Sequence, residues 1–307
     1  MTRTTDILLT GMAPAIWGST YVVTTEFLPP DMPVTLAMLR ALPAGLLLLA
    51  LTRTLPTGNW RWRVLVLGAL NFAAFWSLLF VAAYRLPGGV AATVAAIQPL
   101  FVIGLAAIAL GSRIRPLSLV AAGAGLGGVA LLVLGPAAEP DMIGVGAALG
   151  GALSMAAGTV LTRKWQPPVS LLTFTAWQLT AGGLLLLPLS MIAEPDMPAL
   201  SGTNIAGLIW LGGIGAALTY FLWFRGIRRI EPAAISTLGF LSPVTAVLLG
   251  WIALGQDLSV LQMTGLAIVL GSIWLGQAAE RQPGRQPDRQ RPQTVAPIGI
   301  RPSPANK

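Results

Sequence analysis

Apolar residues run along this chain in long unbroken blocks, separated by short stretches where charges and prolines gather. The blocks cover residues 6–25, 33–52, 62–84, 89–110, 116–135, 142–162, 170–192, 203–225, 232–253 and 259–279. Each is close to the roughly 20 residues that an α-helix needs to cross a hydrocarbon core about 30 Å thick. None shows the strict alternation, in segments of about ten residues, of an outer-membrane barrel strand. The pattern therefore predicts an all-α integral membrane protein with ten transmembrane helices, each satisfying its own backbone hydrogen bonds.

Composition agrees. Of 307 residues, 55% are hydrophobic and 10% charged, against about 25% charged in a soluble domain. The mean hydropathy is +0.75. The net charge of +8 could suggest nucleic acid, but its distribution argues against that. Threading the ten spans places Arg3, Arg53, Arg61, Arg63, Arg113, Arg115, Arg163, Lys164, Arg225, Arg228 and Arg229 on one side, which we call the basic end. The other, acidic end holds Glu26, Asp31, Glu139, Asp141, Glu194, Asp196 and Asp257, with Arg85 as its basic exception. Basic residues flanking spans stay in the cytoplasm. Both termini are thus expected there, in a bacterial inner membrane. The first block could pass for a signal peptide, but it matches the sixth and reads as a retained helix. Cysteine is absent.

The chain repeats itself. Ile108-Ala109-Leu110-Gly111 recurs as Ile252-Ala253-Leu254-Gly255, and the same offset puts Pro99 on Pro243, Phe80 on Phe224 and Arg85 on Arg229. A slightly smaller offset puts Pro29-Pro30 on Pro167-Pro168, and Gly45 with four leucines on Gly183 with four leucines. Five spans per copy turn the second copy upside down, and the loops largely change charge sign between copies. Such inverted repeats build transporters with a midplane site. The expected units are 1–135 and 136–279, followed by a tail, 280–307, rich in Arg, Gln and Pro and too polar to fold.

Candidate chemistry is sparse. There is no histidine, no Asp or Glu deep in a span and no P-loop, so proteolysis, metal hydrolysis and ATP-driven pumping lack their parts. No cofactor is expected, and facilitated diffusion or exchange is favoured over proton coupling. Arg40 is the one ionisable residue inside a span. It is either a docking group for a substrate carboxylate or a structural cation reaching outward to Glu26, Asp31 or backbone carbonyls. Its repeat partner is the neutral Gln178. Pro99 and Pro243, preceded by Gln98 and Ser242, each free a carbonyl one turn earlier and are candidate hinges. Aromatics cluster away from span ends at Trp17, Phe75, Trp76 and Tyr220, with Trp76 matching Tyr220. They read as the wall of a cavity, with packing or lipid contact as the alternative for any one of them. Gly123, Gly125, Gly127 and Gly128 in the fifth span, and Gly265 and Gly271 in the tenth, suit close helix packing as braces.

The ten spans, the inverted copies, Trp17-Gly18-Ser19-Thr20-Tyr21-Val22 in the first span, the proline pair after it, Arg40 in the second and the prolines of the fourth and ninth resemble the EamA branch of the drug/metabolite transporter superfamily. Within it the chain resembles the bacterial aromatic amino-acid exporters of the YddG type. The resemblance implies helices one to four and six to nine around a central cavity, five and ten outside, and export by alternating access. Carried over by position, the wall comprises Trp17, Ser19, Tyr21, Asn71, Phe75, Trp76, Leu79, Gln98, Met155, Trp177, Gln178, Tyr220, Phe224 and Ser242. The small multidrug relatives carry an acid where Trp17-Gly18-Ser19 stands here, which argues against their proton coupling. The expected partners are a small-molecule substrate and membrane lipid, not nucleic acid, with the chain a monomer or homodimer. A sugar-phosphate or nucleotide-sugar exchanger, and a non-transporting receptor or assembly protein, are the rival readings. Trp17→Ala and Tyr220→Ala are expected to lower phenylalanine efflux with the fold intact.

Overall fold

A computed structural model describes residues 2–86, 88–133, 141–194, 197–255 and 257–280. The expected tail after Glu280, and the loop charges Glu139 and Asp196, lie outside these residues; so do the side chains of Tyr21 and Tyr84. The regular elements among the described residues are all helices, with no strand among them. Helix α1 is Arg3–Phe27 and α2 is Pro33–Thr52. The third apolar block forms α3, made of Trp60–Gly68, a π-helical segment Ala69–Ala73, and Ala74–Arg85. The fourth, α4, is split into Gly88–Ala95 and Gln98–Leu110. Then come α5 (Pro116–Val133), α6 (Met142–Lys164) and α7 (Leu171–Ala193). Helix α8 joins Gly202–Ile209, a π-helical segment Trp210–Leu218 and Thr219–Arg229. Helix α9 is split into Pro232–Leu238 and Leu241–Leu254, and α10 is Val260–Ala279. Among the described residues, α2 to α10 supply nine stretches long and apolar enough to cross a membrane.

Local chemistry sets the ends. Asp141 caps α6, its Oδ1 accepting from Ile143 N at 2.7 Å and Gly144 N at 3.0 Å. Ser201 and Ser259 form reciprocal capping boxes with Asn204 and Gln262, satisfying amides that an N-terminus leaves open. Gly111 and Gly255 end α4 and α9 at φ 67° and 66°, a left-handed conformation that glycine adopts without a Cβ penalty. The proline expectation takes a definite form. Pro99 and Pro243 stand in the first turn of the second half of each split helix. The break is bridged by three-residue bonds, Ile97 N to Val94 O and Phe240 N to Thr237 O, both 3.2 Å.

Helix α2 packs along α7, and α5 along α10; α6 lies against α3 and α4, and α1 against α8 and α9. The α2–α7 crossing is set by Gly45, whose hydrogen faces Thr180 N, and by Gly183, which faces Leu42. Gly128 and Gly265 do the same for α5 and α10, whereas Gly123, Gly127 and Gly271 face open space. The small residues expected as braces therefore divide: only some sit in the contact. The largest core cluster draws on α1, α2, α3, α6, α7, α8 and α9. Leu47, Ile108, Ile192, Ile252 and Trp274 stay 63–86% exposed, as lipid-facing side chains should.

At the basic end, the start of α1 is tied to the end of α10. Arg3 donates to Gln277 O at 2.9 Å and pairs with Glu280 at 3.3 Å, and Arg115 donates to Ala279 O at 3.1 Å. The Glu280 side chain is 9% exposed and its Oε1 has no hydrogen-bond partner. Burial and the neighbouring Glu231 push its pKa from 4.5 up to about 7, against the pull of Arg3 and Arg115. The folded protein then keeps a proton that the unfolded chain releases. The resulting stability is complete below pH 4.5 and is lost as pH rises through 7. The thermal midpoint of the purified protein should be higher at pH 6 than at pH 8, and Glu280→Gln should remove most of that difference. Equal slopes in the two proteins would clear Glu280 of any part in it.

Candidate functional site

The middle of the bundle is organised by rings. Tyr220 on α8 is the hub: its ring centroid lies 4.5 Å from Phe72, 5.0 Å from Trp17, 5.7 Å from Phe224 and 6.4 Å from Trp76. Trp223 adds a second contact to Trp17 at 5.3 Å, and Phe72 touches Trp76 at 5.2 Å. From Phe224 the series continues through Phe174 (5.6 Å) and Trp60 (6.0 Å) to Trp177 (6.3 Å). All are tilted or edge-on arrangements, which the aromatic quadrupole favours. Contact with aromatic neighbours thus runs from mid-bundle to the basic end.

Polar groups are threaded through the rings. Trp17 Nε1 donates to Thr219 Oγ1 at 2.9 Å, and Thr219 Oγ1 donates to Gly215 O at 2.8 Å. The same carbonyl accepts from Arg40 Nη2 at 2.6 Å. Arg40 Nη1 reaches Thr20 Oγ1 at 3.4 Å, and the guanidinium lies 5.1 Å over the Trp76 ring. At the related place on α3, Asn71 Nδ2 donates to Gln178 Oε1 at 2.7 Å and, at 3.4 Å, to Thr162 Oγ1. Asn71 and Gly215 both lie in π-helical segments. An i→i+5 turn displaces backbone carbonyls from the regular ladder and is often found at functional sites.

The expected wall residues separate into two sets. Asn71, Trp76, Met155, Trp177, Gln178, Tyr220 and Phe224 are buried at 4% exposure or less. Trp17, Ser19, Phe75, Leu79, Gln98 and Ser242 are partly exposed. Trp17, Trp76, Tyr220 and Phe224 are brought together, and Gly18 seats α1 against Ser242 O. Trp177 lies apart from the hub: its indole donates to Thr54 O at 2.6 Å in the α2–α3 connection. Ser19 Oγ donates to Ile16 O and accepts from Trp210 Nε1 at 3.1 Å. The buried rings pack on one another. A groove of about 530 Å³ lies near the acidic end, between Asp31, Val34, Phe80, Arg85, Leu189 and Glu194. Sequence reasoning missed Thr219 and Phe174, whose residue types are ordinary in a membrane helix. It also missed both π segments, for which the glycines around Gly215 were the only available hint.

Arg85 pairs with Asp141 at 3.1 Å at the acidic end, and Arg225 and Arg229 pair with Asp6 at the basic end. Glu194 accepts from Val34 N at 2.6 Å and Thr35 N at 2.7 Å, capping α2 from α7. Among the described residues no group of three or more Cys, Asp or Glu is placed to hold a metal ion.

A multi-helix membrane bundle with a buried polar thread of this kind is built as a carrier is built. The profile of the EamA-like transporter family matches the chain twice, over residues 5–134 and 142–276. The chain belongs to that family and is a multi-pass membrane protein. It is 46% identical to Protein PecM of Dickeya dadantii over 267 residues, covering 86% of this chain and 90% of PecM. It is 31% identical to the uncharacterized inner membrane transporter YedA of Escherichia coli K12, covering 85% of this chain and 86% of YedA. A crystal structure of a protein 22% identical superposes with a TM-score of 0.79 over 91% of this chain and the whole of that one; it bears on the fold alone.

Proposed function

We propose that this protein exports amino acids, aromatic and other apolar ones, and related small metabolites across the bacterial inner membrane. Transport proceeds by alternating access, as facilitated diffusion or exchange, without ATP or a cofactor, and the chain is not an enzyme. Its ten helices act as two inverted repeats, 1–135 and 136–279, with both termini and the 280–307 tail in the cytoplasm. The repeat reading is supported by reciprocal contacts: Gly45 on Thr180 and Gly183 on Leu42, Arg40 with Gly215 and Gln178 with Asn71. Arg85–Asp141 and Arg229–Asp6 stand at opposite ends, as latches of the two gates would. The split helices α4 and α9, with Pro99 and Pro243, are the hinges.

The single observation that carries the solute class is the ring hub around Tyr220, with Trp17 and Phe75 left partly exposed. Aromatic faces and a few neutral hydrogen-bonding groups suit a flat, apolar side chain. The sugar-phosphate alternative needs several cations converging on phosphate. Among the described residues the centre offers Arg40 alone. The test is purified protein in liposomes, loaded with labelled phenylalanine, leucine or a sugar phosphate, with and without a pH gradient. Saturable phenylalanine flux insensitive to the gradient is the expected result. Flux of the sugar phosphate alone would replace this reading with its rival.

A further inference from the structure

We propose that Arg40 receives the carboxylate of the transported solute, and that this carboxylate takes the place now held by the Gly215 carbonyl. The inference rests on the transport reading above and adds to it a chemical requirement and a link between binding and helix movement.

Arg40 is a cation buried to 9% exposure in the second span, with no acidic partner among the described residues. A charge held that way is costly until something offsets it. A backbone carbonyl and a ring face only partly do so. Of the five guanidinium N–H groups, Nη2 is well used, Nη1 makes one long bond to Thr20, and Nε has no partner. The Nε–Nη edge is the fork that matches a carboxylate with two parallel bonds.

The repeat supplies an internal control. Gln178 occupies the equivalent place on α7 and holds the equivalent π segment through Asn71, with neutral groups on both sides. Fastening a π segment to its neighbour therefore does not require a charge. At 215 the partner side chain is also missing. Glycine stands where the other copy has Asn71, so the space beside the guanidinium is not filled by an amide. A cation with an unpartnered Nε, opposite a residue without a side chain, is the arrangement that an incoming anion would use.

Exchange of partners would have a mechanical consequence. Gly215 O accepts from both Arg40 and Thr219, and Thr219 accepts from Trp17. A carboxylate on Arg40 releases the carbonyl of the π segment, loosens α2 from α8, and leaves Thr219 and Trp17 as the remaining tie to α1. Solutes without a carboxylate cannot make this trade. Solutes that carry only a cation meet Arg40 with no acid paired to it among the described residues.

The experiment compares four probes of the same ring: phenylalanine, 3-phenylpropanoate, phenylalaninamide and 2-phenylethylamine. Binding to purified protein is followed by tryptophan fluorescence and by thermal midpoint. The two carboxylates should bind at least about tenfold more tightly than the amide and the amine, as loss of a charge-assisted pair implies. Arg40→Gln, which copies the other repeat, should erase that preference, and Arg40→Lys should keep part of it. Equal binding of acid and amide by the unmodified protein, or binding of neither, overturns the proposal without need of a variant. So does an Arg40→Gln protein that retains the preference. If 3-phenylpropanoate binds and phenylalanine does not, the amino-acid reading falls and the role of Arg40 stands. If phenylalanine is transported with no preference for the carboxylate, Arg40 falls and the transport reading stands.

Discussion

Gly45→Ala and Gly183→Ala each destabilise the protein, by about 1–3 kcal/mol or more, while Gly123→Ala and Gly271→Ala leave it unchanged. A Cβ on Gly45 would overlap Thr180 N and lie 2.8 Å from Leu179 C; one on Gly183 would lie 2.7 Å from both Leu42 Cα and Leu42 N. These are main-chain atoms, so no rotamer change relieves the overlap, and α2 and α7 must separate along their contact. Loss of that contact is expensive in a bilayer, where helix association depends on close packing and not on exclusion of water. Thermal unfolding in detergent reads the difference directly. The double variant should fall short of the sum, because one separation accommodates both methyl groups. A Gly45→Ala protein as stable as the parent would show that the two helices do not approach as described.

Tyr220→Ala abolishes transport and costs about 3–5 kcal/mol of stability, the range for emptying a large buried aromatic site. The residue is 2% exposed and touches four other rings. The expectation from the sequence, that its removal spares the fold, is therefore replaced. Tyr220→Phe keeps the ring contacts and should keep the fold, which makes it the better probe of the hydroxyl. Trp17 behaves differently. Partly exposed, and tied to Thr219 by its indole N–H, it should lose transport on change to Ala with a smaller loss of stability. Phenylalanine counterflow in liposomes, measured alongside thermal midpoints, separates the two residues. Equal loss of stability in both variants would place Trp17 in the core with Tyr220.

The helices were legible because their signal is redundant. Some twenty apolar residues in a row can only be a span, and caps such as Asp141, Ser201 and Ser259 are visible as residue types. The second block was placed at 33–52, the range observed for α2. Helix α8 runs on to Arg229, beyond the expected 225. Its last turn carries Arg228 and Arg229, which the apolar pattern alone treats as loop. The candidate site was legible only as a set of residue types. Trp177 and Tyr220 are both aromatic and both mid-sequence in a span, yet one bonds to Thr54 near the basic end and the other is the hub.

By itself the sequence determined that the chain is helical, membrane-embedded, duplicated and poor in ionisable groups at its centre, since hydrophobic length, offset and charge are properties of residues in order. Only the tertiary structure decided which rings meet, where the two π segments fall and that Arg40 faces the Gly215 carbonyl. Those outcomes depend on how helices distant in the chain rotate and cross. A regular ladder hides that choice from local sequence, and it is made only when side chains such as Thr219 and Arg40 meet at the same buried carbonyl.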